Sequence, residues 1–275
     1  MMKRPLFLLF AAVTACKVEY HPYDTRVHGE RNINEKNIAR IEAATEGKQT
    51  IRFAVISDTQ QWYDETEKAV EALNDCDGLD FVIHTGDLAD FGMRSEFERQ
   101  RDILNKLHVP YVTILGNHDC LATGETIFRM IFGSPDYAFT AGEVRFICLN
   151  TNALEFDHSE SPTAIAIASR SSVPDFHFIE QELANFPPNA KKTIVAMHAK
   201  PFSEQFDNNV AKVFQYAIRQ FPDLQCCLNG HGHKFTIDDI FGDGILYYQC
   251  DNIEKKTYLL FTLNEEGYTY EHIAF

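Results

Sequence analysis

The 275-residue chain predicts an α/β fold in which two mixed β-sheets pack face to face with helices on the outside. Three observations predict it. Between residues 51 and 115, short apolar runs alternate with charged segments of helical spacing, which is the order of βαβ units with right-handed crossovers. From residue 224 onward the runs are nearly all strand-like. Five clusters of Asp, Asn, Gln and His stand directly after strands, where open α/β sheets bind their ligands.

Residues 51–56 form an apolar run of strand length, and 64–75 carry charge at helical spacing. A second strand at 81–84 leads to a charged helix at 94–107 and a third strand at 109–115. Two further strands at 137–140 and 144–149 meet at a Gly142 turn. Residues 151–173 lack a period and read as a long loop. A helix over 174–186 opens with Pro174 near its N-terminus, followed by a strand at 193–197 and a helix at 208–220. Strands at 224–228, 235–241, 245–249, 257–263 and 268–273 complete the chain.

Before this domain, residues 1–15 read as a lipoprotein signal peptide. Lys3 and Arg4 give a positive start, and 6–13 is an apolar run too short to span a bilayer. Val13-Thr14-Ala15-Cys16 resembles a bacterial lipobox, in which the cysteine thiol takes a lipid. Cys16 is therefore the expected lipidation site, and the expected setting is an exported lipoprotein anchored in the bacterial cell envelope. Residues 16–49 read as a polar tether with one short helix around 33–44, and 50–275 as the domain. Cys148 and the Cys226-Cys227 pair lie inside apolar runs and read as buried free thiols; no CxxC pair supports a thiolate zinc or redox site.

The formal charge is −15, which disfavours phosphate backbones and hence tight nucleic-acid binding. It does not oppose a small phosphorylated substrate, because bound cations reverse the local field. No G-x-S-x-G, P-loop or dinucleotide fingerprint is present. Tyr247, Tyr248 and Tyr258 read as strand packing, and Trp62 and Tyr63 as packing that could also wall a pocket.

The five clusters are Ser57-Asp58-Thr59-Gln60, Gly86-Asp87-Leu88-Ala89-Asp90, Gly116-Asn117-His118-Asp119, His198, and Gly230-His231-Gly232-His233. Their side chains are compact oxygen and nitrogen donors suited to a hard or borderline divalent cation. Each cluster alone reads more readily as a turn, a cap or an ordinary hydrogen-bonded histidine. Five in one order, each after an apolar strand, point to a metal site. Two cations roughly 3.5–4 Å apart can neutralise a phosphate and activate a water.

With these motifs the sequence resembles the calcineurin-like metallophosphoesterase family, whose pattern is D-x-H, G-D-x-x-D/E, G-N-H-D/E, a lone histidine and G-H-x-H, in that order. The likeness covers about residues 51–233 and implies a four-layer αββα fold. It implies that Asp58, Gln60, Asp87 and His233 hold one metal and that Asp87, Asn117, His198 and His231 hold the other, with Asp87 bridging. It further implies that His118 faces the phosphate and leaving oxygen without binding metal, and that Asp90 matches the acid that orients it. The first motif departs from the pattern, since Gln60 stands where most members carry histidine. Its amide oxygen suits a hard cation better than Zn²⁺. The expected cofactors are thus two divalent ions, Mn or Fe favoured and Zn possible, with the first held more loosely.

The expected activity is hydrolysis of phosphate mono- or diesters with a metal-bound hydroxide as nucleophile. The competing reading is a non-catalytic lipoprotein that binds a phosphorylated ligand or a protein partner. A nuclease is opposed by the acidic charge and by the lack of a basic stripe.

Overall fold

The structure, a computed structural model, describes residues 21, 23–153 and 173–275. Cys16, the leader before it, and residues 154–172 of the expected long loop lie outside the described residues.

In chain order the elements are α1 (Ile33–Thr45), β1 (Ile51–Ile56), α2 (Tyr63–Asn74), β2 (Phe81–His84), α3 (Arg94–Leu104), β3 (Tyr111–Thr113), α4 (Gly124–Ile131), β4 (Tyr137–Ala141) and β5 (Val144–Leu149). Then come α5 (Phe176–Ala184), β6 (Lys192–Met197), α6 (Ala211–Ile218), β7 (Leu224–Asn229), β8 (Thr236–Asp238), β9 (Leu246–Gln249), β10 (Thr257–Asn264) and β11 (Gly267–Ala274). One sheet has the order β11-β10-β1-β2-β3, with β1, β2 and β3 parallel. The other has the order β4-β5-β6-β7-β9-β8, parallel from β5 to β9 with antiparallel edges.

Strand alternation explains the layering. In β1, Phe53 and Val55 point into the core between the sheets, while Ala54 and Ile56 point into the core beneath α2, α3 and α4. In β6, Ile194 and Ala196 face the inter-sheet core, and Val195 and Met197 face the core under α5 and α6. Both faces of each central strand are buried, so these strands read as continuous apolar runs. Phe53, Phe81, Phe139, Phe146 and Phe261 stack or meet edge to face in the middle layer, with ring centroids 4.9–5.7 Å apart. The result is the αββα arrangement that the family likeness implies. Among the described residues no helix is long and apolar enough to cross a membrane.

Several boundaries differ from the sequence reading. The sequence reading lacks helix α4, between the third motif and β4. Helix α5 begins after Asp175, whose carboxylate accepts the Phe178 N–H at 3.1 Å, so Pro174 precedes the helix. Strand β3 is three residues long, and just beyond it the Ile114 N–H still donates to the His84 carbonyl of β2 at 2.9 Å. The six cysteines among the described residues are all free, and four of them are buried.

The segment read as a tether is docked from Asp24 onward. Asp24 lies 3.5 Å from the Arg94 guanidinium, and the His28 carbonyl accepts from Arg101. Helix α1 lies on the edge strand β3. Asn34 donates to the Thr113 carbonyl and accepts its N–H, both at 2.9 Å, and Asn37 donates to the Tyr111 carbonyl at 2.8 Å. These amides take the place of a neighbouring strand and close an exposed edge. The composition of the segment is polar because its polar groups do the docking. Asn34→Ala strands the buried Thr113 N–H, while the Thr113 carbonyl keeps the Tyr137 hydroxyl at 2.8 Å, so urea unfolding should show a loss of about 1–3 kcal/mol; an unchanged midpoint would mean that the Asn34 bonds contribute nothing to the fold.

Candidate metal centre

Every expected site residue sits on a loop just past a strand. Asp58 and Gln60 follow β1, Asp87 and Asp90 follow β2, and Asn117 and His118 follow β3. His198 follows β6, and His231 and His233 follow β7. The structure brings these loops from both sheets to one place. Asp58 Oδ1 is 3.2 Å from His233 Nε2, and single ligand atoms of Asp58, Asp87 and His233 lie within 4.8 Å of one another. Gln60 Nε2 is 3.3 Å and His198 Nε2 3.4 Å from Asp87 Oδ2. Asn117 Oδ1 is 3.0 Å from both His198 Nε2 and His231 Nδ1. Asp87 thus sits between an Asp58–Gln60–His233 group and an Asn117–His198–His231 group.

The backbone is bent to achieve this. Asp58, Asp87, His231 and His233 are all non-glycine residues at positive φ, between 51° and 71°. Such conformations are uncommon, and they collect at functional sites when the surroundings hold them. The surroundings here are specific. The Gly86 carbonyl accepts the Asp58 N–H, and the Asp87 carbonyl accepts those of Thr59 and Gln60. Gly116 is needed for close approach, because a Cβ there would stand 2.1 Å from the Asp87 nitrogen.

Three residues that sequence reasoning left without a role support these loops. The buried Asp119 carboxylate accepts four backbone N–H groups, from Asp87, Leu88, Ala89 and Gly116, at 2.8–3.0 Å. It ties the second motif to the third. His84 accepts the Gly86 N–H on Nδ1 at 3.2 Å, so its Nε2 proton goes to the Thr59 hydroxyl at 2.9 Å. Burial, and then the nearby His198, push His84 down to about 3, which keeps it neutral for this task. Gln100 on α3 donates to the Thr59 carbonyl. The signal for Asp119 was its place inside the third motif; His84 and Gln100 gave none, since one reads as a strand end and the other as a helix face.

His118 stands apart from the donor cluster. Its Nδ1 donates to the Asp90 main-chain carbonyl at 2.9 Å, while the Asp90 carboxylate is 3.7 Å away. The orienting contact expected of the Asp90 acid is therefore made by its backbone, with the carboxylate acting through its charge. This leaves Nε2 free on a side chain that is 37% exposed. Burial disfavours the imidazolium, but Asp87, the Asp90 carbonyl and the Asp90 charge outweigh it and raise His118 above its ordinary value. Trp62 packs on the helix-side core, and Tyr63 lies under the Arg99 guanidinium at 3.8 Å, so both contribute packing beside the first loop.

The donor set fits divalent cations. Asp58 Oδ1 and Gln60 Oε1 are buried and receive no well-aligned hydrogen bond. Unpaired buried oxygens of this kind are costly in a protein interior unless a cation takes them. His198 donates from Nδ1 to the Thr85 carbonyl at 2.7 Å, which aims Nε2 at the cluster, the usual way a ligand histidine is oriented.

Without a cation, His198 and His233 take protons instead, whereas burial and the neighbouring His198 push His231 down to about 4. Burial opposes charge on His198, but the Asp87 carboxylate overrides it and pushes the group up to about 9. The Asp58 carboxylate likewise raises His233. His198 is therefore protonated below about pH 9 in the metal-free protein, and a metal must displace that proton. Lowering the pH through this range should weaken Mn²⁺ binding by about tenfold per unit for each proton released. Calorimetry in buffers of different ionisation enthalpy measures the release directly, and pH-independent binding with no proton release would exclude His198 as a ligand.

Comparison with known proteins agrees with this geometry. The sequence profile of the family described as calcineurin-like phosphoesterase matches residues 51–235. A 3',5'-cyclic-nucleotide phosphodiesterase of Nostoc is 26% identical over 163 residues, covering 57% of this chain and 56% of that protein. A probable cyclic nucleotide phosphodiesterase of Psychrobacter arcticus is 25% identical over 166 residues, covering 56% and 57%. The chain thus spans a little over half the length of these relatives. Among solved structures, the anchor of the Plasmodium inner membrane complex superposes with a TM-score of 0.61 at 13% identity, over 82% of this chain and 85% of that one. A purple acid phosphatase from yellow lupin (Lupinus luteus) seeds gives 0.57 at 15% identity, over 83% and 52%. These likenesses concern the fold. With the profile spanning more than half of its residues and all five motifs gathered at one site, the chain belongs to the calcineurin-like phosphoesterase family.

Proposed function

We propose that the protein is a metal-dependent hydrolase of small phosphate esters, with nucleotide-type diesters as its preferred class. One observation carries the proposal: a histidine that is not among the seven converging donors, His118, is tethered through Nδ1 with Nε2 open beside them. The similarity to two cyclic nucleotide phosphodiesterases favours diesters over monoesters.

Asp58, Gln60, Asp87 and His233 would hold one divalent ion, and Asp87, Asn117, His198 and His231 the other. Bound there, the ions supply neutralisation of the phosphate and a water of lowered pKa. His118 does the remaining work. Its Nδ1–H stays on the Asp90 carbonyl, so only Nε2 can exchange a proton with substrate. When protonated, Nε2 is placed to donate to the departing ester oxygen. The Asp87 carboxylate accepts the His118 backbone N–H at 2.9 Å, fixing the histidine relative to the donors. Gln60 contributes a hard amide oxygen, which favours Mn²⁺ or Fe over Zn²⁺. The exported, lipid-anchored setting read from Cys16 belongs to the same proposal.

Metal-stripped protein should regain turnover of bis-p-nitrophenyl phosphate on addition of Mn²⁺, ahead of p-nitrophenyl phosphate. His118→Ala should lower kcat by about 10²–10⁴-fold while keeping its metal. A metal-loaded protein that cleaves neither these esters nor a cyclic nucleotide, or a variant with parental kcat, would defeat the catalytic reading. For the anchor, labelled palmitate should enter the full chain produced in a bacterium and be lost in Cys16→Ala; label retained in that variant would remove Cys16 as the lipid site.

A further inference from the structure

Strand β5 carries no expected ligand, yet its end reaches the site. Past Leu149 the chain continues through Asn150, Thr151 and Asn152, each at most 4% exposed. Thr151 Oγ1 donates to the Ala199 carbonyl at 2.7 Å, and Asn152 Nδ2 donates to the Leu115 carbonyl at 2.7 Å. Asn150 Oδ1 holds Asn152 in turn, accepting from its N–H at 3.1 Å and from Nδ2 at 3.0 Å. Asn150 is itself fixed through its N–H to Asp136 Oδ1 at 2.8 Å.

The two carbonyls that this bracket grips flank the second donor group. Ala199 directly follows His198, and Leu115 precedes Asn117 by two residues. Leu115 leaves the first sheet, whereas β5 and β6 belong to the second. The Asn152 bond therefore crosses between sheets at the point where Asn117 Oδ1 and His198 Nε2 stand 3.0 Å apart. Among the described residues no corresponding contact from this segment reaches the Thr59–Gln60 loop, which is held by His84 and Gln100.

Stability alone does not account for Asn152. Its Oδ1 is buried without a hydrogen-bond partner, a cost carried beside the two bonds that Nδ2 makes. The bond to Asn150 is local, whereas the bond that satisfies the buried Leu115 carbonyl is the one that spans the sheets. A polar group kept at such a cost marks a geometric requirement.

We propose that Thr151 and Asn152 are positioning residues for the Asn117–His198–His231 half of the metal centre, setting the separation of Asn117 and His198 across the two sheets. This rests on the reading of that cluster as a metal site. Its test is Mn²⁺ binding to metal-stripped protein, followed by calorimetry and by metal analysis after dialysis, with thermal unfolding alongside. The parent should bind two ions. Thr151→Val and Asn152→Leu should each weaken one of the two sites at least tenfold and leave the other within twofold, while the metal-free proteins still unfold cooperatively at temperatures lowered by the stranded Ala199 and Leu115 carbonyls. Thr151→Ser, which keeps the hydroxyl, should restore parental binding. Two parental affinities in both Val and Leu variants would overturn the bracket while leaving the metal centre intact. Equal weakening of both sites, or weakening that merely follows lost stability and is not rescued by serine, would reduce these residues to general packing. A parent that binds no ion would overturn the metal reading and the bracket together.

Discussion

Three buried carboxylates in one site are the constraint on which this structure turns. Asp58, Asp87 and Asp119 are each at most 1% exposed, and all lie on the motif loops. Charges removed from water must be compensated locally. The protein compensates them in two different ways. Asp119 receives four main-chain N–H groups, which oppose the burial and the Asp87 charge that push its carboxyl up to about 7 and make it a tie between two loops. Asp58 and Asp87 receive fewer and less aligned donors and face histidines instead. A fully satisfied carboxylate is structural, whereas a partly satisfied one facing imidazoles is prepared for cations. The difference between Asp119 and its two neighbours is therefore a difference in hydrogen-bond supply, not in residue type.

The same logic explains why the site needs both sheets. The first sheet delivers Asp58, Gln60, Asp87, Asn117 and His118; the second delivers His198, His231 and His233. The carboxylates come from one layer and the ligand-type histidines from the other. The relative placement of the sheets, set by the phenylalanine-rich layer between them, therefore sets the geometry of the centre. Dense interdigitated packing resists sliding, so a core built for stability also acts as a positioning device.

Much of this was legible in the sequence, for a physical reason. Central strands buried on both faces give uninterrupted apolar runs, and donors must follow them at the carboxyl ends, so Ile51–Ile56 followed by Asp58 and Gln60 announces both strand and site. Less legible were features that depend on contacts distant in sequence. The docking of α1 rests on Asn34 and Asn37 meeting a strand more than seventy residues later, and a polar helix alone gives no hint of its partner. His84, Gln100 and Asn152 act through main-chain groups of other loops, which no spacing rule reports. Asp90 was legible as a neighbour of His118 but not in its manner of contact, because a backbone carbonyl leaves no mark in the sequence.

Gln60 shows how one substitution can alter chemistry without altering electrostatics. An amide oxygen and a neutral imidazole carry the same formal charge, so replacing the family's usual histidine leaves the charge balance of the centre unchanged. Asp58 and Asp87 supply the only two negative charges among the seven expected ligands, and two divalent ions would leave a net positive centre for a phosphate. What changes is hardness: as a ligand, the amide oxygen would shift preference toward Mn²⁺ and away from Zn²⁺ under the proposed reading. That local positive charge sits within a chain of formal charge −15. At physiological salt, screening over about 8 Å confines the positive field to the site itself. Under the proposed function, a small ester that enters the site would meet the cations, while a long polyanion would also meet the net negative charge of the chain. The contrast between centre and chain would then favour small substrates.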